Sequence, residues 1–215
     1  MLDIGANKGI FSIYMSRSAG KKGKVIAFEA QPELKEYLIR IKKYFSLNNL
    51  EIINSALSSK AGTMTLRRES VGSGSASFNF YDQDDSSIEA LEIPATTLDD
   101  FLKYRNDEPI SFIKCDVEGH EADVFYGAEE TLKKYMPTLL FECHRSEEEK
   151  GDLFSYLSEI GYTGYFFHVS QKNHASIFRR SIGEYIHFSK FNEYEYCRPD
   201  VEHRNYYFVK EGTLP

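Results

Sequence analysis

The chain has 215 residues, enough for a sizeable hydrophobic core, and we expect a single domain over residues 1–215. Its formal net charge of -7 argues against a protein that binds the phosphate backbone of a nucleic acid. No apolar stretch approaches the ~20 residues that a membrane-spanning helix needs, and the start of the chain shows no signal-peptide pattern.

The first nine residues predict a strand, a glycine turn and a helix. An apolar stub that carries Asp3 leads into a turn with Gly5 and Gly9, and apolar residues at helical spacing follow at once. This layout brings a helix N-terminus and unpaired backbone N–H groups against a ligand. Only Met1 to Ile4 precede the turn, where a strand usually has ~5 residues. We therefore expect the chain to be a fragment or to start inside a longer reading frame.

Alternating strands and helices follow, and this alternation predicts a parallel sheet with right-handed crossovers. The first helix should run from about residue 8 to 18, and residues 24–29 form a largely apolar strand. Pro32 begins a second helix with one apolar face. Residues 50–53 form the third strand, with Asn54 at its carboxyl end.

The middle of the chain departs from this alternation. Residues 56–66 alternate around a turn and predict a hairpin. Residues 69–92 are rich in Ser, Gly and Asp and predict a long loop. The regular pattern returns at Thr97, which is a predicted helix cap.

The remaining predicted elements lead to the end of the chain. They are a strand at 110–116, a helix whose apolar face runs from Val124 to Tyr135, a strand at 138–144, a helix between a Ser146–Glu149 capping box and Gly161, and strands at 162–169 and 205–209. An aromatic-rich, irregular segment separates the last two strands. Its aromatic residues form either a satellite core or a substrate wall, and they include Tyr185, His187, Phe188, Phe191, Tyr194 and Tyr196.

The cysteines have no spacing typical of a metal site or a disulfide framework. Cys115, Cys143 and Cys197 are odd in number, and two of them lie inside apolar runs, which favours buried thiols. We therefore expect a reducing compartment, the cytoplasm.

Each predicted strand of the parallel sheet is followed by polar residues, while the strand bodies are apolar. In a doubly wound sheet the ligand lies at these carboxyl ends, where the strand order reverses. The residues concerned are Asp3, Glu29, Asn54, Asp116 with Glu118, and Glu142 with His144.

Glu29 has the clearest expected role among these residues. An acid at the end of the second strand, roughly 20 residues after the glycine turn, can accept both ribose hydroxyls of an adenosine. The turn lacks the G-x-G-x-x-G spacing of dinucleotide-binding proteins, and this favours an adenosine ligand without a nicotinamide. Two alternatives stay open: a nicotinamide-dependent oxidoreductase, and a Rossmann-like nucleotide-binding module without catalysis.

Several segments occur in the same order as in a known family. They are Asp3-Ile4-Gly5-Ala6-Asn7-Lys8-Gly9, Phe28-Glu29-Ala30-Gln31-Pro32-Glu33, Asn54-Ser55-Ala56-Leu57, Thr97-Leu98-Asp99-Asp100, Lys114-Cys115-Asp116-Val117-Glu118-Gly119-His120-Glu121 and Phe141-Glu142. By these segments the chain resembles the FkbM family of S-adenosylmethionine-dependent methyltransferases from residue 1 to about 145. One departure is Ala30-Gln31, where family members often have Pro-Asn.

The resemblance implies a fold, a cofactor and a reaction. The fold is the Rossmann-like class I methyltransferase fold, an α/β fold with helices on both faces of a mostly parallel, seven-stranded sheet whose last strand is antiparallel. The cofactor is S-adenosylmethionine. The reaction is O-methylation of a hydroxyl on a sugar, a glycan or a polyketide-type small molecule.

The resemblance also assigns cofactor-binding residues. Asp3 supports the turn and the amino group, Glu29 binds the ribose, and Asn54 with Ala56 lies near the adenine edge. For Asp3 and Asn54, local capping of turns is the alternative. The methionine portion is held by Gly5, Ala6, Asn7 and Gly9 of the turn.

A hydroxyl acceptor has to lose a proton, so a general base near the methyl group would help the reaction. Asp116 is the leading candidate, because the fourth strand should adjoin the first, and it is also assigned to the cofactor. Glu118 and His144 are further catalytic candidates, followed by His120 and Glu121. The alternative is that Asp116 and Glu118 cap the following helix.

A metal site is chemically possible but is not predicted. Asp116, Glu142 and His144 could supply ligands to a cation that prefers oxygen, yet their spacing is not diagnostic.

Overall fold

The computed structural model describes residues 1–79, 86–105, 108–143, 152–169, 183–190 and 205–213. The chain divides into two compact units, Met1–Pro137 and Thr138–Pro215. In the described part of the chain, no helix combines the length and the apolarity needed to cross a membrane. His144, Ser146, Glu149, Phe191, Tyr194, Tyr196 and Cys197 lie outside the described residues.

The first unit alternates strands with helices. In chain order it contains β1 (Leu2–Ile4), α1 (Ile10–Ala19), β2 (Val25–Phe28), α2 (Pro32–Tyr44), β3 (Leu50–Ile53), β4 (Ala56–Leu57), β5 (Gly62–Arg68), β6 (Glu89–Thr96), α3 (Leu98–Leu102), β7 (Phe112–Cys115), α4 (Glu121–Tyr126) and α5 (Glu129–Tyr135).

Four strands of the first unit form a parallel arrangement in the order β7-β1-β2-β3. Ile4 pairs with Phe28 on one side and with Cys115 on the other, so the carboxyl ends of these three strands meet. The bodies of β1 and β2 are buried throughout, as their apolar sequences predict. The predicted parallel sheet, with the fourth predicted strand beside the first, is therefore confirmed.

The predicted hairpin at residues 56–66 is wrong. β4 pairs in parallel with β6, and β5 pairs antiparallel with β6, so the strand order is β4-β6-β5. The missing partner, β6, begins at Glu89 inside the segment that was expected to be a loop. Apolar side chains of all three strands share a small core, and this burial overrides the local turn signal at residues 58–62.

The single helix predicted around residues 124–135 is interrupted at Gly127. A Cβ atom at Gly127 would lie 2.0 Å from the backbone oxygen of Ser58, so the chain segments touch at a point where only glycine fits. The second helix, α5, is then capped from α3. Asp99 accepts hydrogen bonds from the backbone N–H groups of Glu130 and Thr131, both at 2.9 Å.

The second unit is an antiparallel sheet with one described helix. It contains β8 (Thr138–Glu142), α6 (Asp152–Glu159), β9 (Tyr162–Val169), β10 (Gly183–His187), a 3-10 turn (Phe188–Lys190) and β11 (Asn205–Lys210), in the strand order β10-β9-β11-β8. Gly161 ends α6 with a φ of 98°, as the sequence predicts. β10 lies in the segment that was expected to be irregular, and the cross-strand pairing with β9 explains its order.

Part of the aromatic-rich segment packs into a core of the second unit. Phe188 stacks on Phe208 with ring centroids 6.0 Å apart and meets Phe154 edge to face at 5.7 Å. Tyr185, by contrast, is 43% exposed and touches Phe167 and Tyr207. Phe188 thus packs against buried aromatic rings but is itself only partly buried, so the choice between a satellite core and a substrate wall stays open.

The α/β fold class is confirmed, and the last strand, β11, is antiparallel to both of its neighbours. Outside the small sheet, the described strands number eight rather than the expected seven, because β10 was not anticipated.

Candidate functional site

A cavity of about 370 Å³ opens at the carboxyl ends of β1, β2 and β7 in the first unit. Its volume falls within the range of about 300–1,000 Å³ that is typical of small-molecule pockets. The cavity wall includes six of the residues that the sequence assigns to the site, namely Gly5, Ala6, Asn7, Glu29, Asp116 and Glu118.

The glycine turn is held in place by hydrogen bonds from its backbone N–H groups. All five backbone N–H groups from Gly5 to Gly9 donate to acceptors within the protein. Gly5 and Ala6 donate to Phe28 O (both 3.0 Å), Asn7 to Glu29 Oε2 (2.7 Å), Lys8 to Asn7 Oδ1 (2.7 Å) and Gly9 to Ala6 O (2.8 Å). The expectation that unpaired N–H groups face a ligand is therefore wrong for the turn itself: three of its N–H groups fasten it to the end of β2 and to Glu29, and those of Lys8 and Gly9 bond within the turn.

Both glycines of the turn are required by packing. Gly5 has a φ of 72°, and a Cβ atom there would lie 1.9 Å from the backbone oxygen of Asp116. Gly9 has a φ of 76°, and a Cβ atom there would lie 2.6 Å from Leu38 of α2. Glycine adopts a positive φ without strain and has no Cβ atom to collide at these close approaches. Gly5 thus lets the ends of β1 and β7 meet, while Gly9 lies outside the cavity wall and seats α1 against α2.

Glu29 is a buried carboxylate on the cavity wall, and only 5% of its surface is exposed. It accepts hydrogen bonds from the backbone N–H groups of Asn7 (2.7 Å) and Gln31 (2.8 Å). Burial raises the pKa of this carboxyl, and the two hydrogen bonds oppose that rise. Each carboxylate oxygen keeps capacity for a further donor, such as a ligand hydroxyl.

Asp3 lies beneath the turn rather than on the cavity wall, and it is fully buried. Ser12 of α1 donates a hydrogen bond to its Oδ2 atom. Its Oδ1 atom accepts no hydrogen bond from the described residues and lies 3.5 Å from Lys114 Nζ. Burial raises the pKa of Asp3, and the nearby Lys114 ammonium lowers it. Asp3 thus contacts α1 and Lys114, and its support of the turn and of a ligand amino group stays a prediction.

Lys114 is a site residue to which the sequence assigned no role. It is 5% exposed and lines the cavity, with its Nζ donating to the backbone oxygen of Gly5 at 2.8 Å. The same ammonium lies 3.5 Å from Asp3 and 3.4 Å from Asp116. The sequence contains one indication that Lys114 belongs to the site. It lies inside an apolar strand two residues before Asp116, so its side chain must point to the same face of the sheet as that of Asp116.

The turn after β7 presents Asp116 and Glu118 to the cavity in a restrained conformation. Glu118 has a φ of 52° and Gly119 a φ of 89°. The buried Glu121 side chain holds this turn by accepting hydrogen bonds from Val117 N (2.8 Å) and Gly119 N (3.0 Å). Glu121 is therefore a turn-holding residue, a role that its sequence position alone did not reveal.

At α4 the N-cap residue is His120, whose side chain makes no cap hydrogen bond, and helix capping by Asp116 and Glu118 stays an alternative. His120 is 4% exposed, and its Nε2 lies 3.0 Å from Ser58 Oγ. His120 thus lies in the packed interior.

Asn54 and Ala56 lie outside the cavity wall. The Asn54 amide donates to the backbone oxygens of Glu29 (2.8 Å) and Ala30 (3.0 Å), which is the local capping that the sequence offered as an alternative. Ala56 belongs to the small core with Leu66. Their contact with an adenine edge stays a prediction.

The chain matches one family over most of its length. The family profile described as "Methyltransferase FkbM domain" matches residues 3–163. No curated protein gives a significant match to the chain.

Solved structures of methyltransferases share the fold. The methyltransferase FkbM from Methylobacillus flagellatus KT has 16% sequence identity and a TM-score of 0.57, over 97% of this chain and 43% of that chain. Precorrin-6y C5,15-methyltransferase from Geobacter metallireducens GS-15 has 13% identity and a TM-score of 0.50, over 98% of this chain and 80% of that chain. The chain thus spans less than half the length of the first protein, and at these identities the likeness concerns the fold.

Proposed function

The chain belongs to the FkbM methyltransferase family, and we propose that it transfers the methyl group of S-adenosylmethionine to a hydroxyl of a sugar, a glycan or a polyketide-type small molecule. One observation carries the proposal. The carboxylate predicted to bind ribose, Glu29, lies buried in the wall of a cavity that Asp116 and Glu118 also line, at the carboxyl ends of the parallel strands.

The chemistry of the cavity fits this cofactor. Glu29 retains acceptor capacity for the two ribose hydroxyls. Asp116 and Glu118 supply negative charge that suits an ammonium group and a sulfonium centre. An apolar part of the wall suits the flat face of adenine, and it consists of Ala30, Leu66, Ala76 and Phe78.

When it is bound, S-adenosylmethionine supplies an electrophilic methyl group on a positively charged sulfur. The chain's own part is to align and to deprotonate the acceptor, since methyl transfer is an in-line displacement whose rate depends on alignment. Glu29 and the glycine turn orient the ligand. Asp116, half-exposed on the cavity wall, takes the proton of the acceptor hydroxyl. Glu118 and His144 are the other candidates for this base.

The acceptor is assigned to the hydroxyl class on chemical grounds. A carboxylate that is open to the cavity can accept a proton from a hydroxyl as the C–O bond forms. We also place the protein in the reducing cytoplasm, because Cys115 is a buried thiol that forms no disulfide with a described residue.

Calorimetry tests the cofactor assignment directly. We expect S-adenosylmethionine and S-adenosylhomocysteine to bind, and Glu29→Gln to weaken both at least tenfold, because the amide accepts fewer hydrogen bonds from the ribose. Glu36→Gln, which alters an exposed carboxylate on α2, is the control. A folded wild-type protein that binds neither ligand would overturn the proposal.

Turnover separates the proposal from a binding module without catalysis. A library of sugars, glycans and polyketide-type alcohols is incubated with S-adenosylmethionine, and released S-adenosylhomocysteine is measured. Release above background with at least one hydroxyl compound supports the proposal. Tight cofactor binding with no release across the library would instead favour the module, and NADH binding by fluorescence titration would favour the oxidoreductase.

A further inference from the structure

One segment of the loop after β5, residues 72–79, lies along the cavity and is called the covering segment here. Ser73, Gly74, Ala76 and Phe78 of this segment line the cavity wall. A Cβ atom built at Gly74 would lie 3.8 Å from the side-chain nitrogen of Asn7, so the segment reaches the glycine turn. A bound ligand would therefore contact the covering segment on one side and the strand ends on the other.

The covering segment is tied to the turn after β7. Ser77 Oγ donates to the backbone oxygen of Glu118 at 2.7 Å, and Asn79 Nδ2 donates to the backbone oxygen of Gly119 at 2.8 Å. Ser77 is fully buried and also exchanges backbone hydrogen bonds of 2.9 Å with Arg67 of β5. This end of the segment is thus fixed by backbone and side-chain bonds together.

The other end of the covering segment is bonded to the side chain of Gln31. Gln31 Nε2 donates to the backbone oxygen of Ser73 at 3.0 Å, and Gln31 Oε1 accepts from the backbone N–H of Gly72 at 3.0 Å. The side chain is nearly fully buried, with 3% of the residue exposed. One amide therefore satisfies a donor and an acceptor of the segment at once.

The Gln31 amide is held in this orientation by a buried arginine. Arg68 Nη1 donates to Gln31 Oε1 at 3.1 Å, so the oxygen faces two donors while the nitrogen faces a carbonyl. Arg68 is itself fully buried and pairs with Glu33 through two hydrogen bonds of 2.8 Å and with Glu89 through one of 2.8 Å. These contacts fix the guanidinium, and through it the Gln31 carbonyl.

The backbone of Gln31 connects the same residue to Glu29. Its N–H donates to Glu29 Oε1 at 2.8 Å, which orients the carboxylate proposed to bind ribose. We propose that Gln31 is a positioning residue that couples this carboxylate to the covering segment, so that the segment is held over the cofactor and slows its release. This inference rests on the proposed function, whose cofactor it concerns.

The length and the chemistry of glutamine are both needed at this position. Asparagine is one methylene shorter and cannot reach the segment from the same backbone position while it also faces Arg68. Glutamate has the right length and pairs with Arg68, but it loses the donor to Ser73 O and places a second acceptor there. Gln31→Asn and Gln31→Glu thus remove different parts of the same contact.

Hydrogen exchange of the ligand-free protein tests the tie, by which we mean the hydrogen bonds between the Gln31 side chain and residues 72 and 73. In the wild type we expect protection of the Gly72 amide, because its N–H is bonded to Gln31 Oε1. Gln31→Ala and Gln31→Asn should abolish that protection, whereas Gln31→Glu should preserve it, since Oε1 and Arg68 remain. Glu36→Gln on α2 is the matched control. An unprotected Gly72 amide in the wild type would overturn the tie whether or not the protein binds the cofactor.

Binding of S-adenosylhomocysteine tests the coupling. We expect Gln31→Ala to weaken the affinity about tenfold, mainly through faster dissociation, as the loss of one or two hydrogen bonds predicts. Gln31→Glu, which keeps the Gly72 bond, should weaken it less than Gln31→Ala does. Loss of Gly72 protection with unchanged affinity and dissociation rate would overturn the coupling. Absence of binding by the wild type would overturn the coupling together with the cofactor assignment, while the exchange result would still decide the tie.

Discussion

Lys114 is the cation on which the buried part of the site depends. Asp3 is fully buried, and its Oδ1 atom accepts no hydrogen bond from the described residues, so Lys114 at 3.5 Å is the charge that compensates it. The same ammonium donates to Gly5 O at 2.8 Å and lies 3.4 Å from Asp116. Burying a carboxylate without compensation is expensive, so this arrangement allows an acid to lie directly beneath the turn.

Replacing Lys114 should show that the stability of the protein depends on this compensation of the Asp3 charge. Lys114→Met leaves Asp3 buried without its cation, and we expect the free energy of unfolding to fall by about 3–5 kcal/mol at neutral pH. The double variant Asp3→Asn/Lys114→Met should recover a large part of that loss, because the uncompensated charge is gone. Urea denaturation of the wild type, the single variants and the double variant measures the coupling. Additive losses would show that Lys114 does not compensate Asp3.

Asp116 should behave as a base rather than as a structural residue. Asp116→Asn keeps the shape of the side chain but removes the proton acceptor, and we expect turnover to fall by about 10²–10⁴-fold. The affinity for S-adenosylhomocysteine should change only a few-fold. Turnover of the acceptor found in the hydroxyl library and calorimetry of the same preparation measure the two effects. Equal losses in turnover and affinity would make Asp116 structural.

The sequence identified several residues of the cavity wall that follow strand ends, but not those that depend on distant partners. Glu29, Asp116 and Glu118 were found because parallel strands bring their carboxyl ends together. Lys114 was missed because its role depends on Gly5 and Asp3, which are far away in sequence. Gln31 was noticed as a departure from the family, yet its contact with residues 72 and 73 follows from a loop path that no periodicity encodes.

At the scale of elements, the sequence predicted the strands and helices of the parallel sheet and failed where tertiary contacts override local signals. The periodicity of α2 follows from the face that buries Leu34 and Leu38. The helix α1 was also predicted, but its apolar Ile10, Phe11 and Tyr14 are exposed, and its buried face is Ser12, Met15 and Ser16. The helix break at Gly127 follows instead from the approach of the Ser58 backbone, 69 positions earlier in the chain. The hairpin prediction failed for the same kind of reason. The strand β5 pairs with β6, which follows it only after the long loop.

The N-terminus of α5 is capped by a side chain of another helix, α3, and the contribution of this cap to stability can be tested. Asp99 of α3 accepts from the backbone N–H groups of Glu130 and Thr131 and from the Thr131 hydroxyl at 2.6 Å. Asp99→Ala should lower the free energy of unfolding by about 1–2 kcal/mol, the range for a lost N-terminal cap. Asp99→Asn, which keeps one acceptor oxygen, should lose less. Urea denaturation measures both variants, and an Asp99→Ala variant as stable as the wild type would show that α5 does not need this cap.

At the scale of the whole molecule, two groups of carboxylates respond to pH in opposite directions. Hydrogen bonds from Arg68 lower the pKa of Glu33 from 4.5 to about 2, and hydrogen bonds from Arg105 lower that of Glu51 from 4.5 to about 2. A lowered pKa in the fold means that the unfolded chain binds protons more readily, so this stabilisation is present above pH 4.5 and is lost as the pH falls towards 2. Burial raises the pKa values of Asp3 and Glu29, so their ionisation reduces stability as the pH rises above their ordinary values.

The loss of stability at acid pH, which we call the acid limb, should therefore depend on the two arginine-bound carboxylates. We expect the wild type to lose stability steeply between pH 4.5 and about 2, the window set by Glu33 and Glu51. The double variant Glu33→Gln/Glu51→Gln should be less stable than the wild type at pH 6 but should fall less steeply through that window, because it has no such protons to take up. Urea midpoints measured from pH 6 to pH 2.5 give both slopes, with Glu36→Gln as the control on α2. Both carboxylates are partly exposed, so added salt should reduce the difference. Parallel acid limbs in the wild type and the double variant would show that other carboxylates control the acid unfolding of this protein.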